Sequence, residues 1–272
     1  MRAGVELWAR DSGRELVVLD DGSDAQLAAT IHRRLVEEGC DPVLGPYGSD
    51  TTRTVARARG GRVVWNHGAA ADDVQQLPGV VSVATPASGY LVALAQMAAG
   101  LGAARLAVLT APGAFAAAAR KGLERKAPAL GVELVGDPAG ADGVLLCGPV
   151  EWEAERFREL DRRGLLVGGV SPGLPDAPRA WPDGTLAPVQ WHPDLGGPSG
   201  LEDYVAAQAY AAALIAERCL ALDPADPLSA AHSLAVDTFF GRFELDETGL
   251  QSGHRLSVVR WQHGRQTLVQ PA

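Results

Sequence analysis

The sequence predicts an α/β protein of two doubly wound lobes, each built on a parallel sheet, with a β-hairpin tail. Short apolar runs alternate with helical patterns along most of the 272 residues, and this rhythm is typical of strand–helix–strand units. The strands are continuous Val and Leu runs, which indicates strands covered on both faces. The sequence after residue 240 instead alternates apolar and polar residues around turn signals, as antiparallel hairpins do.

The first part of the chain carries one series of strands and helices. Apolar residues recur at helical spacing after each strand-like run. Leu27, Ile31 and Leu35 form one such stripe, and Gly39 ends it. The predicted strands are 16–21, 41–47, 62–68 and 80–86, and the predicted helices are 24–39, 49–60 and 88–102.

A second series of similar length starts near residues 102–105. Its charged residues over 153–163 stand at i,i+4 spacing and predict a solvated helix face. The Gly- and Pro-rich stretch 171–200 predicts a long irregular region. The predicted strands are 104–113, 132–136, 142–149, 165–173 and 185–191, and the predicted helices are 114–131, 150–164, 201–222 and 226–236.

Two series of one architecture predict two lobes. We expect residues 1–102 plus about 197–239 in lobe 1, and 103–196 plus about 240–272 in lobe 2. Ligands of open α/β sheets bind at the carboxyl ends of the strands. If the lobes face each other, the turns at these ends line one cleft.

The composition of the chain argues against some classes of binding partner. The net charge is −9, and no run of Lys or Arg is longer than a pair, which argues against nucleic acid. The three cysteines, Cys40, Cys147 and Cys219, show no metal-binding spacing and read as buried apolar residues, with one disulfide plus a free thiol as the alternative. The scattered histidines predict no metal site, and no motif predicts a cofactor.

The segment PVLGPYGSDTT places hydroxyl groups where a strand becomes a helix. Gly48 bends the chain, and Ser49, Thr51 and Thr52 follow at the helix start. Such residues cap helices, and the free N–H groups of a helix N-terminus also bind anions. The sequence therefore allows two interpretations, a cap alone or a cap that also contacts the carboxylate of a ligand.

The run VVLDDGSDAQLAATIHRRLVEEGCDPVLGPYGSDTT resembles the first lobe of type I periplasmic binding proteins, in their branched-chain amino acid and amide-binding group. The late segments DYVAAQAYAAALIAE and DTFFGRFELDETGLQSGHRLSVVRWQHGR resemble the last helix and closing hairpin of the same proteins. The resemblance covers nearly the whole chain. It implies non-catalytic binding of a small ligand in a cleft between two lobes.

The resemblance also implies candidate ligand-binding residues. Ser49 falls on the serine that binds the ligand carboxylate, and the loop NHGAAA falls on the loop that holds the same group. Phe115 falls on a second-lobe tyrosine, and Ser171 lies near the usual acid that binds the ligand ammonium. The full set of expected ligand contacts is Tyr47, Ser49, Thr51, Thr52, Gly68, Ala69, Ala70, Tyr90, Phe115, Val150, Trp152 and Ser171.

Departures from the family pattern favour one class of ligand. The acid expected near Ser171 is missing, and a buried ammonium without a carboxylate partner costs several kcal/mol. We therefore expect an amino-acid-like ligand with a carboxylate or amide and an apolar body instead of a free α-amino acid. A site that has lost its ligand is the alternative.

A second departure concerns the beginning of the sequence. Family members begin with a strand, whereas this sequence begins inside the helix that would follow it, AGVELWARDSG. The expected first strand of lobe 1 is therefore missing, and exposed strand edges invite pairing with another chain. A homodimer is one way to close the gap. As written, the sequence has no signal peptide and predicts a cytoplasmic protein; a start further upstream would make it periplasmic.

The leading function is that of the substrate-binding component of an ABC transporter, with a permease as its partner. The alternative is a cytoplasmic ligand-sensing or interaction module derived from such a protein. An enzyme is not predicted, because neither GxSxG nor GxGxxG occurs at a strand-to-helix turn.

Overall fold

The computed structural model describes residues 1–160, 164–175 and 181–269. The helices are α1 (Arg2–Ser12), α2 (Ala25–Glu37), α3 (Ser49–Ala58), α4 (Asp72–Gln75), α5 (Tyr90–Gly100), α6 (Ala114–Leu130), α7 (Val150–Glu159), α8 (Tyr204–Leu222) and α9 (Pro227–Ser233). The strands are β1 (Val64–Asn66), β2 (Val80–Ser82), β3 (Arg105–Thr110), β4 (Glu133–Val135), β5 (Gly143–Cys147), β6 (Leu166–Gly169), β7 (Leu186–Val189), β8 (Val236–Thr238), β9 (Gly241–Phe243), β10 (Ser257–Gln262) and β11 (Arg265–Val269).

The chain forms two compact units. Unit 1 comprises Met1–Pro86 and Leu195–His254, and unit 2 comprises Ala87–Asp194 and Arg255–Ala272. These boundaries differ from the expected ones at α5 and at residues 240–254. Helix α5 belongs to unit 2 because its leucines share a core with α6, whereas His254 is held in unit 1 by a hydrogen bond of 2.6 Å between its Nδ1 and Thr85 Oγ1.

Unit 1 contains a small parallel sheet covered by helices. Strands β1 and β2 pair in parallel, and Leu44 forms a single parallel bridge to Trp65 on the other side of β1. Helices α2 and α3 bury Ala and Val side chains against this sheet. The predicted strand 41–47 is therefore reduced to one bridge.

The prediction of a strand over 16–21 is wrong for this structure. The segment has no regular secondary structure, and Val17, Val18 and Leu19 are 53%, 45% and 36% exposed. A parallel strand is stable only when a neighbouring strand takes up its backbone N–H and C=O groups. No described segment lies in position to do so, and the segment stays unpaired.

Helices α1 and α8 pack closely in unit 1. A Cβ atom on Gly4 would lie 2.0 Å from the carbonyl oxygen of Ala206, so the two backbones approach at a point where only glycine fits. Among the helices of the described residues, α8 is long and apolar enough to cross a membrane, but 56% of its apolar window is buried inside the structure. It is a packed core helix here.

Unit 2 is built on one seven-stranded sheet with the order β11-β10-β7-β6-β5-β3-β4. Strands β3 to β7 pair in parallel, and the hairpin β10–β11 joins β7 antiparallel. One face buries leucines of α5 and α6, and the other buries Phe157 of α7 and Trp181. This sheet confirms the predicted doubly wound α/β fold and its hairpin tail.

Two expectations fall partly on residues that the structure does not describe. The predicted helix 150–164 ends at Glu159, and residues 161–163 lie outside the described part. The predicted irregular stretch 171–200 includes 176–180, which also lie outside it, while its remainder contains β7.

The three cysteines are free thiols. Cys147 and Cys219 are fully buried, and burial raises the pKa of each thiol to about 12. Both therefore serve as small apolar core residues, as predicted, whereas Cys40 is only partly buried and does not fit that prediction. The alternative of a disulfide is not realised.

Candidate functional site

The expected carboxylate site in unit 1 lies at the start of α3. Gly48 takes a φ of 96°, which favours glycine, and no side chain caps the helix that begins at Ser49. Ser49 Oγ accepts a hydrogen bond of 3.3 Å from the backbone N–H of Ala71. The serine hydroxyl thus links the start of α3 to the loop that follows β1. These are the two segments that the sequence analysis expects to contact the carboxylate of a ligand.

Charged side chains lie close to the start of α3. The dipole of α3 favours an anion at its first turn, whereas Asp50 adds a negative charge there. Arg53 offsets it by pairing with Asp50 at 2.8 Å and with Asp73 at 2.7 Å, and these carboxylates raise the pKa of the guanidinium. Arg53 neutralises one of the two carboxylates, so the helix dipole and the N–H groups of the first turn, and not the net charge of the side chains, favour an anion at Ser49.

The two threonines of the expected set brace the turn itself. Thr51 Oγ1 donates to the carbonyl oxygens of Tyr47 and Gly48, at 2.6 and 2.9 Å. Thr52 is fully buried, and its Oγ1 lies 3.3 Å from the carbonyl oxygen of Pro46. Their hydroxyl protons are committed to the loop, so these side chains position the backbone around Ser49.

The side chain of Asn66 fixes the backbone of the loop over residues 67–71 by hydrogen bonds. Its Oδ1 accepts hydrogen bonds from the N–H groups of Gly68 and Ala69, at 3.0 and 2.7 Å. Its Nδ2 donates to the carbonyl oxygen of Ala69 and to Ser82 Oγ, at 2.9 and 2.7 Å. The side chain is fully buried. The N–H groups of Gly68 and Ala69 are thus engaged within the loop, while Ala70 is partly exposed beside them.

Tyr47 lies over the same loop. A Cβ atom on Gly68 would come within 2.2 Å of the Tyr47 ring, which explains why glycine stands there. The ring is 6.3 Å from that of His67, centroid to centroid, and Tyr47 is 42% exposed. The structure therefore brings Tyr47, Ser49 and the loop after β1 together at one edge of unit 1.

His67 is buried beneath this edge. Burial, and then the charge of the N-terminal ammonium, lower the pKa of His67 to about 4, so the ring is neutral at pH 7. A neutral imidazole adds no charge to the carboxylate site.

Two aromatic residues of the expected set meet in unit 2. Tyr90, which begins α5, packs edge-on against Phe115 of α6 with centroids 5.1 Å apart. Gln190 Nε2 donates a hydrogen bond of 2.7 Å to the Tyr90 hydroxyl. Gln190 follows β7 directly, so the three side chains lie together at the carboxyl edge of the sheet.

Trp152 and Ser171 both lie against Gly148, which follows β5. A Cβ atom on Gly148 would lie 2.6 Å from the Trp152 ring, and Arg156 stacks on that ring from 5.8 Å. Ser171 is buried, and its hydroxyl donates to the carbonyl oxygen of Gly148 at 2.9 Å. Val150, at the start of α7, is partly exposed beside them.

Glu153 corrects the expectation of a fully solvated face over 153–163. Its side chain is completely buried, with Oε1 accepting from the N–H of Gly148 at 2.8 Å and Oε2 from the N–H of Ser171 at 3.0 Å. Burial raises the pKa of this carboxyl to about 8, although the N–H donors act in the opposite direction. The rest of 153–160 is exposed or partly exposed except Phe157.

Sequence reasoning missed four polar residues that build these edges: Asn66, Gln75, Glu153 and Gln190. Asn66 and Gln190 carried a usable signal, since each is a polar residue at the carboxyl end of an apolar strand. Gln75 donates to the carbonyl oxygens of Ala69 and Ala84, at 3.3 and 3.1 Å. Nothing local distinguishes Gln75 from Gln76, or Glu153 from its charged neighbours.

The described residues contain no candidate metal-binding site. Within residues 1–160, 164–175 and 181–269, no three His, Cys, Asp or Glu side chains are grouped to hold an ion.

A family model described as periplasmic binding protein matches residues 1–143, slightly more than half of the chain. No curated protein matches the sequence. The family match covers the first series of strands and helices, including the whole edge around Ser49.

Solved structures share the fold at low sequence identity. One is an ABC transporter substrate-binding protein from Desulfitobacterium hafniense in complex with Leu, at 18% identity and a TM-score of 0.78, covering 98% of this chain and 95% of that one. Another, from Rhodopseudomonas palustris, is a solute-binding protein in complex with p-hydroxybenzoic acid, at 16% identity and a TM-score of 0.75, covering 100% and 90%. A leucine-binding protein from Thermotoga maritima is 18% identical with a TM-score of 0.72, covering 99% and 92%.

Proposed function

The chain belongs to the periplasmic binding protein family, and from this premise we propose that it binds a small organic carboxylate as the substrate-binding component of an ABC transporter. The match with this chain covers 95%, 90% and 92% of the lengths of the three solved structures described above. This coverage favours a transporter component over a derived sensing module. The proposed role is binding without chemistry, with a transporter permease as the partner.

The observation that carries the proposal is the start of α3. One edge of unit 1 carries the uncapped N-terminus of α3 and the Ser49 hydroxyl, 3.3 Å from the backbone nitrogen of Ala71. The partly exposed Tyr47 lies at the same edge. Helix N–H groups and hydroxyls are donors suited to a carboxylate. We propose that Ser49 and the first turn of α3 bind this group.

The proposed ligand carries no α-ammonium. The position near which the family pattern places an acid holds Ser171, which is buried with its hydroxyl committed to Gly148. Glu153 beside it is occupied by two backbone N–H groups. An ammonium at this point in unit 2 would lack a carboxylate partner and would be costly to bury. We therefore expect aromatic or aliphatic carboxylates to bind more tightly than leucine and isoleucine.

Isothermal titration calorimetry tests the ligand class. The purified protein is titrated with benzoate, p-hydroxybenzoate, benzamide, leucine and isoleucine under one buffer condition. We expect saturable binding of at least one carboxylate and none of leucine. Tight leucine binding would overturn the ligand class while keeping the transporter function, and no heat with any compound of these classes, together with no thermal shift, would count against the function itself.

Ser49→Ala tests the proposed contact. A hydrogen bond to a charged group contributes about 1.5 to 3 kcal/mol, so affinity for the carboxylate should fall about 10- to 100-fold. Thr54→Ala is the matched control, because Thr54 lies on the same helix and its hydroxyl donates only to the carbonyl of Asp50. Equal affinity of the Ser49 variant and the wild type would remove Ser49 from the site.

The compartment is also a proposal. Substrate-binding components of transporters of this family act outside the cytoplasmic membrane, and we propose the same for this protein. Fractionation of cells that express the native gene, followed by immunoblotting, checks it; recovery with the cytoplasmic marker would contradict it.

A further inference from the structure

Glu153 differs in burial from the other acidic residues of the chain. Among the Asp and Glu residues that the structure describes, it is the only buried one, and none of its surface is exposed to solvent. A buried carboxyl group costs free energy that an apolar side chain of similar volume would not. What this group gains in return is the set of hydrogen bonds that it makes.

These hydrogen bonds form a closed ring between the segments that follow β5 and β6. Glu153 Oε1 accepts from the N–H of Gly148 at 2.8 Å, and Oε2 accepts from the N–H of Ser171 at 3.0 Å. The Ser171 hydroxyl donates to the carbonyl oxygen of Gly148 at 2.9 Å. Gly148 is thus held at both its N–H and its C=O, and a shift of either segment breaks at least one of these bonds.

Two glycines make room for this ring. A Cβ atom on Gly169 would lie 2.5 Å from Glu153 Oε2, and one on Gly148 would lie 2.6 Å from the Trp152 ring. Neither glycine has a positive φ, so the backbone conformation does not require glycine at these positions. The missing side chains instead let the carboxyl group of Glu153 reach one segment and let Trp152 lie against the other.

The two segments carry three of the expected ligand contacts in unit 2. Val150 and Trp152 follow Gly148 closely and are partly exposed, whereas Ser171 is buried. Both exposed side chains offer apolar surface at the carboxyl edge of the sheet, where ligands of such sheets bind. Their positions depend on the backbone at Gly148, which the ring holds.

A segment that is fixed before the ligand arrives binds it more tightly. The apparent affinity falls in proportion to the fraction of molecules that hold the binding-competent conformation. Ordering a mobile loop on binding also consumes part of the interaction energy. A carboxyl group that ties two loops together therefore raises affinity without touching the ligand.

We propose that Glu153 is a positioning residue of the binding site: its carboxyl group holds residues 148–152 and 170–173 in the conformation that receives the apolar body of the ligand. This inference rests on the proposed function, because it takes a small carboxylate as the ligand. Glu153 itself makes no contact with the ligand, since its side chain is fully buried. Both carboxyl oxygens accept from an N–H whether the group is ionised or neutral.

Two substitutions disturb the ring in different ways. Glu153→Gln keeps the volume but replaces one acceptor oxygen with an NH₂ group, which cannot accept from an N–H. Gly169→Ala keeps the carboxyl group and crowds its Oε2, and it carries the test if the Gln variant fails to fold. Isothermal titration calorimetry with benzoate and p-hydroxybenzoate should show a loss of affinity of about tenfold in each variant, as expected when about a tenth of the molecules keep the competent conformation.

Hydrogen exchange measured by mass spectrometry gives a second readout without ligand. Peptides that contain the amides of Gly148 and Ser171 should exchange faster in Glu153→Gln than in the wild type, because each amide depends on the carboxyl group for its partner.

Leu134→Ala separates positioning from general stability. Leu134 lies on β4 and pairs with Leu106 near the start of β3, at the opposite end of the sheet, and it packs against the core of unit 2. Its truncation removes buried apolar contacts in the same unit. This variant should lose thermal stability, yet it should bind benzoate and p-hydroxybenzoate as the wild type does.

The outcomes distinguish this inference from the function on which it rests. If the wild type binds a carboxylate and both Glu153→Gln and Gly169→Ala bind it equally tightly, the positioning role is overturned and the proposed function stands. An equal loss of affinity in Leu134→Ala would also overturn the role, because general destabilisation would then explain the effect. If the wild type binds neither carboxylate, the proposed ligand class fails, and the positioning role fails with it.

Discussion

The backbone N–H of Ser171 donates a hydrogen bond of 3.0 Å to the buried carboxyl group of Glu153. The other oxygen of this carboxyl group accepts from the N–H of Gly148. One side chain of α7 thus ties together the chain segments that follow β5 and β6 in unit 2.

Glu153→Gln should change how stability depends on pH. Burial raises the pKa of Glu153 to about 8 in the folded protein, against an ordinary value near 4.5 when unfolded. Between these values the folded state keeps a proton that the unfolded state loses, so stability falls as pH rises, by up to about 1.4 kcal/mol per pH unit. Urea unfolding at pH 5 to 8 should show this slope in the wild type and a flatter one in the variant.

Glu151→Gln is the control for this effect, because Glu151 is exposed on the same helix. Its slope should match that of the wild type. An unchanged slope in the Glu153 variant would show that the carboxyl is ionised throughout and that the N–H donors outweigh burial.

His67→Phe should reduce sensitivity to acid. The pKa of His67 is lowered to about 4, below the ordinary value near 6.5. As pH falls from 6.5 to 4, the unfolded state gains a proton that the folded state refuses, and stability is lost through this window. Unfolding at pH 7 and pH 4.5 should show a smaller loss in the variant than in the wild type. His263→Gln, at a fully solvated ring, should lose as much stability as the wild type; an equal loss in all three proteins would refute the assignment.

Asn66→Ala should destabilise unit 1 and loosen its loop. The substitution leaves the N–H groups of Gly68 and Ala69 and the hydroxyl of Ser82 without their partner. Unpaired buried groups cost about 1 to 3 kcal/mol each, and partial rearrangement makes a loss of about 3 kcal/mol the expected result in chemical denaturation. Gln76→Ala, which removes an exposed bond to Thr248, should cost less than about 0.5 kcal/mol. Similar losses for the two variants would contradict the role of Asn66.

Three helical glycines should respond to alanine with opposite signs. At Gly4 and Gly122 an added Cβ would lie 2.0 Å from the carbonyl oxygens of Ala206 and Ser88, whereas at Gly100 it meets nothing within 4 Å. Backbone oxygens cannot move aside cheaply, so the first two substitutions should cost about 1 to 3 kcal/mol. Gly100→Ala should gain about 0.5 to 1 kcal/mol from helix propensity.

Thermal unfolding of the three single variants measures this contrast. A loss at Gly100, or no loss at Gly4, would show that the helix contacts are looser than the structure has them.

Sequence reasoning reached the α/β class, most helices and the closing hairpin, because these depend on local patterns. The stripe of Leu27, Ile31 and Leu35 needs only helical geometry, and the Val and Leu runs of β3 and β5 need only two covering layers. The likeness of GPYGS to a family loop located Ser49 at the start of α3. Each of these inferences depends only on residues that lie within a few positions of one another in the sequence.

The tertiary structure decided what depends on distant partners. Residues 16–21 have the composition of a strand, yet they form none because pairing requires a neighbour that their own sequence does not encode. Glu153 looks like any charged helix residue, and only the meeting of Gly148 and Ser171 makes it a buried brace. Local sequence sets conformational preference and the pattern of burial, whereas the partner of each backbone or polar group is determined by where the rest of the chain folds.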